Sequence, residues 1–340
     1  SGRVEVKSAL DGRVINAGVK RYRQLNSSHL EHLESFGFAG ETTGEEMLCL
    51  VTQFNQAKVR VGQAARTRLY VDHSPAKAAA PARLIQEPGY VGQVFTVAAE
   101  DNQPIRVEKM CALYTSKDPA ISEPGLAARE AVENAGDFAD RLIGHLESWG
   151  RLWDRCDIRT EGQEETQMIL RLHIFHLLQT LSHNTIDRDV GVPARGWHGE
   201  AYRGHVFWDE LFILPFIKLR LPMLGRSLLR YRFNRLDRAR RAAREAGHRG
   251  AMFPWQSGSD GREESQSVHL NPRSGRWIPD HSWQQRHVNL AIAFNVWRYF
   301  VVTGDMNFLA AFGAEMLVEI ARLFASIAHL NRDTRKYEIH

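Results

Sequence analysis

Along KVRVGQAARTRLYVD (58–72), apolar side chains recur at every second position, at Val59 and Val61 and again at Leu69 and Val71. A period of two predicts a strand with one buried face. GQVFTVAAEDNQPIRVEKMCALYTS (92–116) reads as strand, turn and strand, with Asp101-Asn102-Gln103-Pro104 reversing the chain. Another turn is expected at Asp11-Gly12 in EVKSALDGRVINAGV (5–19), and SPAKAAAPARL (74–84) reads as a loop rich in Pro and Ala. Several short strands without an intervening helix predict an antiparallel sandwich.

After Pro119 the period changes. In residues 126–158, Phe138, Leu142, Leu146, Trp149 and Trp153 recur at spacings of three and four, the mark of a helix with one face on a core. A boundary is therefore expected within 117–125 (KDPAISEPG). From about residue 160 onward the pattern predicts only helices and long loops. The helices are 164–183, 207–219 with an interruption at Pro215, one arginine-rich helix within 226–250, 286–305, and 306–330. The 286–305 segment is apolar nearly all round and is expected to be buried. Gly304 should end it, and Asp305 should cap the next helix. Two loops, 187–205 and 250–282, are long and rich in Trp, Tyr, His, Gln, Glu and Asp, as functional loops are. Flat aromatic faces beside planar polar groups suit a sugar, whose C–H groups pack on rings while its hydroxyls need acceptors and donors.

Composition adds little to this picture: 340 residues, 43% hydrophobic and 25% charged, are ordinary for a globular protein with room for two domains. The most apolar stretch, 290–302, carries Asn295 and Arg298, so no membrane span is expected. The first residues carry no leader pattern. Cys49, Cys111 and Cys156 are scattered and odd in number, which argues against disulfides or a zinc site and points to a reducing, cytoplasmic setting. Net charge is +4 and residues 226–250 hold nine arginines, which raises a nucleic-acid binder. No binding motif accompanies the charge, and an arginine-rich solvated helix face explains it as well.

The candidate chemistry sits in three places. In GWHGEAYRGHVFWDE (196–210), a carboxylate pair, Asp209 and Glu210, interrupts an apolar run. Either Asp209 accepts hydrogen bonds from a sugar while Trp208 or Tyr202 forms a wall, or both acids pair with Arg203 or Arg195 and tie a loop to a helix. In FPWQSGSDGREES (253–265), Trp255 and Gln256 line a pocket with Glu263 or Glu264 at the leaving group, or the segment is a surface loop capped by its acids. The pair His173 and His176 in LHIFH (172–176) has metal-ligand spacing, with His183 nearby, but its neighbours are apolar and no carboxylate stands in register. Neither a nucleophile elbow nor a Gly-rich nucleotide fingerprint is present.

GVPARGWHGEAYRGHVFWDELFILPF, GAMFPWQSGSDGREE and RHVNLAIAFNVWRY, supported by VEKMCALYTS (107–116) and PDHSWQQRHVN (279–289), resemble glycoside hydrolase family 65. That family contains maltose, trehalose, kojibiose and nigerose phosphorylases and some hydrolases. The resemblance runs along essentially the whole chain and most favours actinobacterial-type members. It implies a β-sandwich over 1–117, a helical linker over 118–158, and the first part of an (α/α)6 barrel over 159–340. It also implies inverting cleavage of an α-glucosidic bond, with phosphate as co-substrate in phosphorylases and water in hydrolases, and with no metal or organic cofactor. Trp208 and Asp209 match the pair that holds the non-reducing glucose, and Trp255 and Gln256 match the pocket wall. Glu264 matches a position near the leaving sugar, and Tyr202, Arg203 and His205 match motif positions around the pocket. The family's general acid follows the segment resembling RKYEIH (335–340), so it is expected beyond His340. Neither Asp280 nor Glu338 fits that role. The chain is thus expected to lack both ends of such an enzyme and to be inactive and poorly folded by itself. The partners expected are an α-linked glucose disaccharide and phosphate or water, with no nucleic acid and no membrane. The linkage stays open; a homodimer fits the family habit. The alternatives are a hydrolase on the same scaffold and a non-catalytic carbohydrate-binding protein.

Overall fold

A computed structural model describes residues 2–16, 28–41, 45–76, 82–196 and 201–339. Parts of three segments named above lie outside the described residues: 17–19 of the first, 77–81 of the Pro- and Ala-rich loop, and 197–200 of the GWHGE motif. So does His340. The described residues fall into two compact units, one up to Arg151 and one from Leu152 onward.

The first unit is strand-rich. Its strands are β1 (Gly2–Asp11), β2 (Leu30–Ala39), β3 (Glu46–Phe54), β4 (Arg60–Val71), β5 (Ser74–Pro75), β6 (Arg83–Glu87), β7 (Tyr90–Ala99) and β8 (Ile105–Thr115). One sheet runs β1-β7-β6. The other runs β2-β3-β4-β5, with β8 also paired to β4. All pairings are antiparallel. The central strand β3 (EMLCLVTQF) is buried along most of its length because both of its faces are covered. Leu48 and Leu50 join Ala65 of the neighbouring β4 and Leu10 and Val91 of the other sheet. Met47 joins Ala64 with Ala128 and Val132 of helix α1 (Pro124–Glu133). Gly62 permits this approach, since a Cβ there would overlap the backbone of Pro124 and Gly125. Arg66, 2% exposed, donates to the carbonyls of Glu133 and Gly136 and satisfies the end of α1.

The strand–turn–strand reading of 92–116 holds, while the turn at Asp11-Gly12 does not. The Asp101-Asn102 turn exists, with Asn102 left-handed, but β7 and β8 lie in different sheets. The turn crosses between sheets and closes no hairpin. Asp11-Gly12 likewise ends β1 without reversing it: β1 pairs with β7, and the Gly12 amide donates to Gly89 O.

The rest is largely helical: α2 (Phe138–Cys156), α3 (Glu164–Thr180), α4 (Glu210–Arg220), α5 (Pro222–Phe233), α6 (Leu236–Glu245), α7 (Val288–Thr303), α8 (Met306–Phe308), a π-turn (Leu309–Gly313) and α9 (Ala314–Ile327). Short hairpins β9/β10 (Val268–Leu270, Trp277–Pro279) and β11/β12 (His329–Asn331, Lys336–Glu338) correct the expectation of helices and loops alone. Several other expectations change. The 126–158 stretch is two helices, α1 and α2, and the expected core stripe on α2 is exposed at Phe138 (57%) and Leu146 (61%). Its period is helical, but period does not say what covers a face. Helix α4 continues through Pro215, which forfeits one backbone bond while buried Leu214, Ile217 and Lys218 anchor the turns around it. The arginine-rich stretch is two helices, broken where Asn234 and Arg235 both turn to Asp189. Helix α7 buries only one side, with Leu290, Phe294, Trp297 and Val301 exposed. Gly304 is left-handed and Asp305 accepts from the Phe308 amide at 2.8 Å, as the caps required.

Candidate functional site

Two loops far apart in sequence meet through a small ladder. Val206 bridges Pro193 on one side and Ser257 on the other, and Ser257 bridges Glu263. Mutual amide–carbonyl bonds of 3.1 and 2.8 Å join Val206 and Ser257. Tyr231 of α5 secures the ladder from below, its hydroxyl 3.0 Å from Ser257 Oγ and donating to Gly258 O at 2.8 Å. Asn289, fully buried on α7, holds the front of the second loop: its Oδ1 accepts from the Phe253 amide at 2.8 Å and its Nδ2 donates to Arg286 O at 2.9 Å.

This ladder gathers all eight residues singled out in the sequence. Trp208 and Trp255 stack, with ring centroids 6.0 Å apart and planes 18° from parallel. A sugar ring between two aromatic faces needs about 7–8 Å, two carbon contact distances, so these indoles form one offset platform. Phe207 meets Trp255 edge-on and Tyr202 edge-on, and His287 also meets Trp255 edge-on, its ring centroid 5.1 Å away. Gln256 Nε2 lies 2.7 Å from His205 Nδ1. Arg203 donates to Glu264 O at 2.8 Å, with the Glu264 carboxylate 3.8 Å away. Tyr202, Arg203 and Gly204 are three successive left-handed residues, with φ of 64°, 53° and 69°. For the first two this conformation costs on the order of 1–3 kcal/mol each, and it aims the following segment, His205 to Asp209, at the second loop.

The acids divide by role. Glu210 does not pair with Arg203 or Arg195. It is 5% exposed and its Oε2 accepts from Arg232 Nε at 3.0 Å, while Arg232 Nη2 also reaches Phe207 O at 3.1 Å. Burial raises the Glu210 carboxyl and the Arg232 guanidinium opposes that. Asn295 donates to Glu210 O and accepts from Lys218, a lysine only 2% exposed whose pKa burial lowers to about 8. Glu263 is structural: its carboxylate accepts from the amides of Trp255 (2.7 Å), Gln256 (3.1 Å) and Ser265 (3.0 Å). Glu264 faces Arg262 at 3.3 Å. Asp209 is the exception. Half-buried at the start of α4, it receives no side-chain hydrogen bond or ion pair from another described residue, and burial raises its pKa while its own amide lowers it. Beside the indole platform, an unengaged carboxylate is an acceptor for hydroxyl groups. Burial, with Arg203 and Arg262 nearby, lowers the His205 pKa to about 4, so this imidazole is neutral at pH 7.

Sequence reasoning did not find Arg232, Asn289, Lys218 or His287. The polar Asn289 and Asn295 inside an apolar helix, and a lysine inside FILPFIKL, were the available signals. His173 is exposed, His176 contacts Gln179, and no group of three metal-ligating side chains occurs among the described residues. In the arginine-rich stretch, Arg226, Arg230, Arg232, Arg235 and Arg240 each face a carboxylate, which removes much of the charge a polyanion would meet. No helix among the described residues is long and apolar enough to cross a membrane.

Residues 1–152 match the N-terminal domain of glycosyl hydrolase family 65, and residues 171–340 match its central catalytic domain. The chain belongs to glycosyl hydrolase family 65. It is 46% identical over 339 residues to an uncharacterized glycosyl hydrolase of Mycobacterium tuberculosis, covering 100% of this chain and 25% of that protein. It is 32% identical to the trehalose 6-phosphate phosphorylase of Lactococcus lactis (98% of this chain, 41% of the relative) and 32% identical to the kojibiose phosphorylase of Thermoanaerobacter brockii (100% and 43%). Each time the chain spans less than half of the relative's length. A solved human-microbiome structure assigned to the kojibiose phosphorylases superposes with a TM-score of 0.79 at 19% identity, over 99% of this chain and 41% of that one. At that identity the likeness speaks for the fold, strand-rich first and helical after.

Proposed function

We propose that this chain forms the glucose-holding part of an enzyme that cleaves an α-glucosidic bond with inversion, by phosphorolysis to β-glucose 1-phosphate. The observation that carries this reading is Asp209: a half-buried carboxylate that no other described side chain engages, set beside the Trp208–Trp255 platform. Asp209 accepts hydrogen bonds from hydroxyls of the non-reducing glucose. Trp208 and Trp255 pack on its C–H face, and Gln256 and Glu264 border the second sugar. Phosphate attacks the anomeric carbon from the face opposite the leaving oxygen, the glycosidic C–O bond breaks, and a general acid protonates that oxygen. On this reading α3–α9 belong to an (α/α)6 barrel, residues 118–158 link it to the sandwich, and no metal or organic cofactor takes part. The phosphorylases among the relatives favour phosphate over water as the nucleophile.

The test is product analysis with the native protein on kojibiose, trehalose, maltose and nigerose, with and without phosphate. Glucose 1-phosphate formed only with phosphate supports the reading; free glucose released equally without phosphate makes the protein a hydrolase. Asp209→Ala removes an ionised acceptor of one or two hydrogen bonds, at about 1.5–3 kcal/mol each, so kcat/KM should fall by roughly 10–10⁴-fold. An unchanged kcat/KM would rule out Asp209 as the sugar's acceptor.

A further inference from the structure

Gln256 has two chemically opposite ends, and its contact with His205 decides which one faces inward. Its side chain is nearly buried, and its Nε2 lies 2.7 Å from His205 Nδ1. The imidazole is held by its own backbone, whose amide donates to Tyr202 O at 2.9 Å at the end of the left-handed turn, and Val206 next to it is locked into the ladder with Ser257. The Gln256 backbone is equally fixed, its amide on Glu263 and its carbonyl accepting from the Glu264 amide at 2.9 Å. The two backbones are thus held with the side chains facing each other across the loop junction. A neutral imidazole intrinsically prefers its proton on Nε2, which leaves Nδ1 as a lone-pair acceptor. An acceptor at Nδ1 requires the amide nitrogen of Gln256, not its oxygen. No described donor reaches Gln256 Oε1.

We propose that His205 is a positioning residue: it holds the Gln256 amide nitrogen inward, so that Gln256 offers only its carbonyl oxygen, an acceptor, to a hydroxyl of the bound sugar. This rests on the sugar-cleaving reading above. The consequence is a polarity filter. A substrate hydroxyl donates at this point, and an analogue lacking that hydroxyl, or carrying fluorine there, loses the bond. Were the amide reversed, its N–H would donate to a fluorine and to a hydroxyl oxygen alike.

Two measurements test it. In the chain labelled with 15N-histidine, the His205 ring at pH 7 should show an unprotonated Nδ1 and a protonated Nε2; a protonated Nδ1 overturns the proposal whether or not any α-glucoside is a substrate. In the native protein, a series of monodeoxy and monofluoro disaccharides should contain one position at which both replacements lower kcat/KM about tenfold. In His205→Leu, which has no acceptor, the deoxy penalty should stay and the fluoro penalty should disappear. His205→Asn, which can place an oxygen where Nδ1 stood, should restore it. If His205→Leu keeps the full fluoro penalty, or Asn fails to restore it, His205 does not set the orientation. Failure of the native protein to cleave any of the parent disaccharides is a failure of the functional reading, and the nitrogen spectrum then decides the orientation alone.

Discussion

Replacing Arg232 by Met should destabilise the helical unit far more than replacing Arg232 and Glu210 together. Arg232 is 1% exposed and Glu210 5%. Removing the arginine takes two contacts, at 3.0 and 2.9 Å, from a carboxylate that water cannot reach, and a third, at 3.1 Å, from Phe207 O. A buried charge stripped of its partner costs about 3–5 kcal/mol. Glu210→Leu alone should cost a similar amount, since it strands the guanidinium. In the double variant neither charge remains and two apolar chains fill the volume; what is lost is the donor to Phe207 O, about 1–2 kcal/mol. The singles therefore sum to roughly 6–10 kcal/mol against about 2 for the pair, a coupling no surface ion pair produces. The pair also leaves Glu210 Oε1 and Arg232 Nη1 without a partner, so its geometry is not at the optimum that would make it better than a hydrophobic substitute. Urea unfolding followed by far-UV circular dichroism, on both singles and the double, reads all three terms. If Arg232→Met costs less than about 1 kcal/mol, or the double costs the sum of the singles, the buried-charge argument is wrong.

Other outcomes follow from the same geometry. Glu263→Ala strands three backbone amides and should weaken sugar binding by about tenfold or more, read by titration calorimetry with the native protein, while Glu263→Gln, which keeps one acceptor, should fall between. Lys218 has its pKa lowered to about 8 by burial, so between about 8 and its ordinary value the unfolded chain binds the extra proton and stability should rise with pH; in Lys218→Met the urea midpoint should lose that rise. Because burial raises the Asp209 pKa, the acid limb of kcat/KM should lie at higher pH than an ordinary aspartate gives, and Asp209→Asn should remove that limb. Gly62→Ala should cost about 3 kcal/mol in the strand-rich unit, since the new methyl meets backbone that cannot turn aside.

The candidate site was unusually legible because its residues cluster in two short motifs, and the structure joins those motifs. Trp208 and Asp209 meet Trp255 and Gln256 through the ladder at Val206 and Ser257, a contact no periodicity displays. The supporting layer was less legible. Arg232 looked like one arginine among nine, and only its burial against Glu210 separates it from the solvated ones. Glu263 and Glu264 are adjacent and identical in sequence, yet one binds three amides and the other faces arginines. Among the strands, periodicity located β4, β7 and β8 but not their partners, because a turn such as Asp101-Asn102 has the same local chemistry whether it closes a hairpin or changes sheets.

That change of sheets bears on how the molecule is made. Among the described residues β1 pairs with β7 alone, Gly2 opposite Ala99 and Asp11 opposite Tyr90. A ribosome adding roughly 5–20 residues per second needs about 5–20 s to cover that separation. For that interval β1 waits for β7 while β2 and β3 are already able to pair with each other. The charged residues Arg3, Glu5 and Lys7 alternate along that waiting strand, and they are the residues that would keep two nascent copies from joining edge to edge.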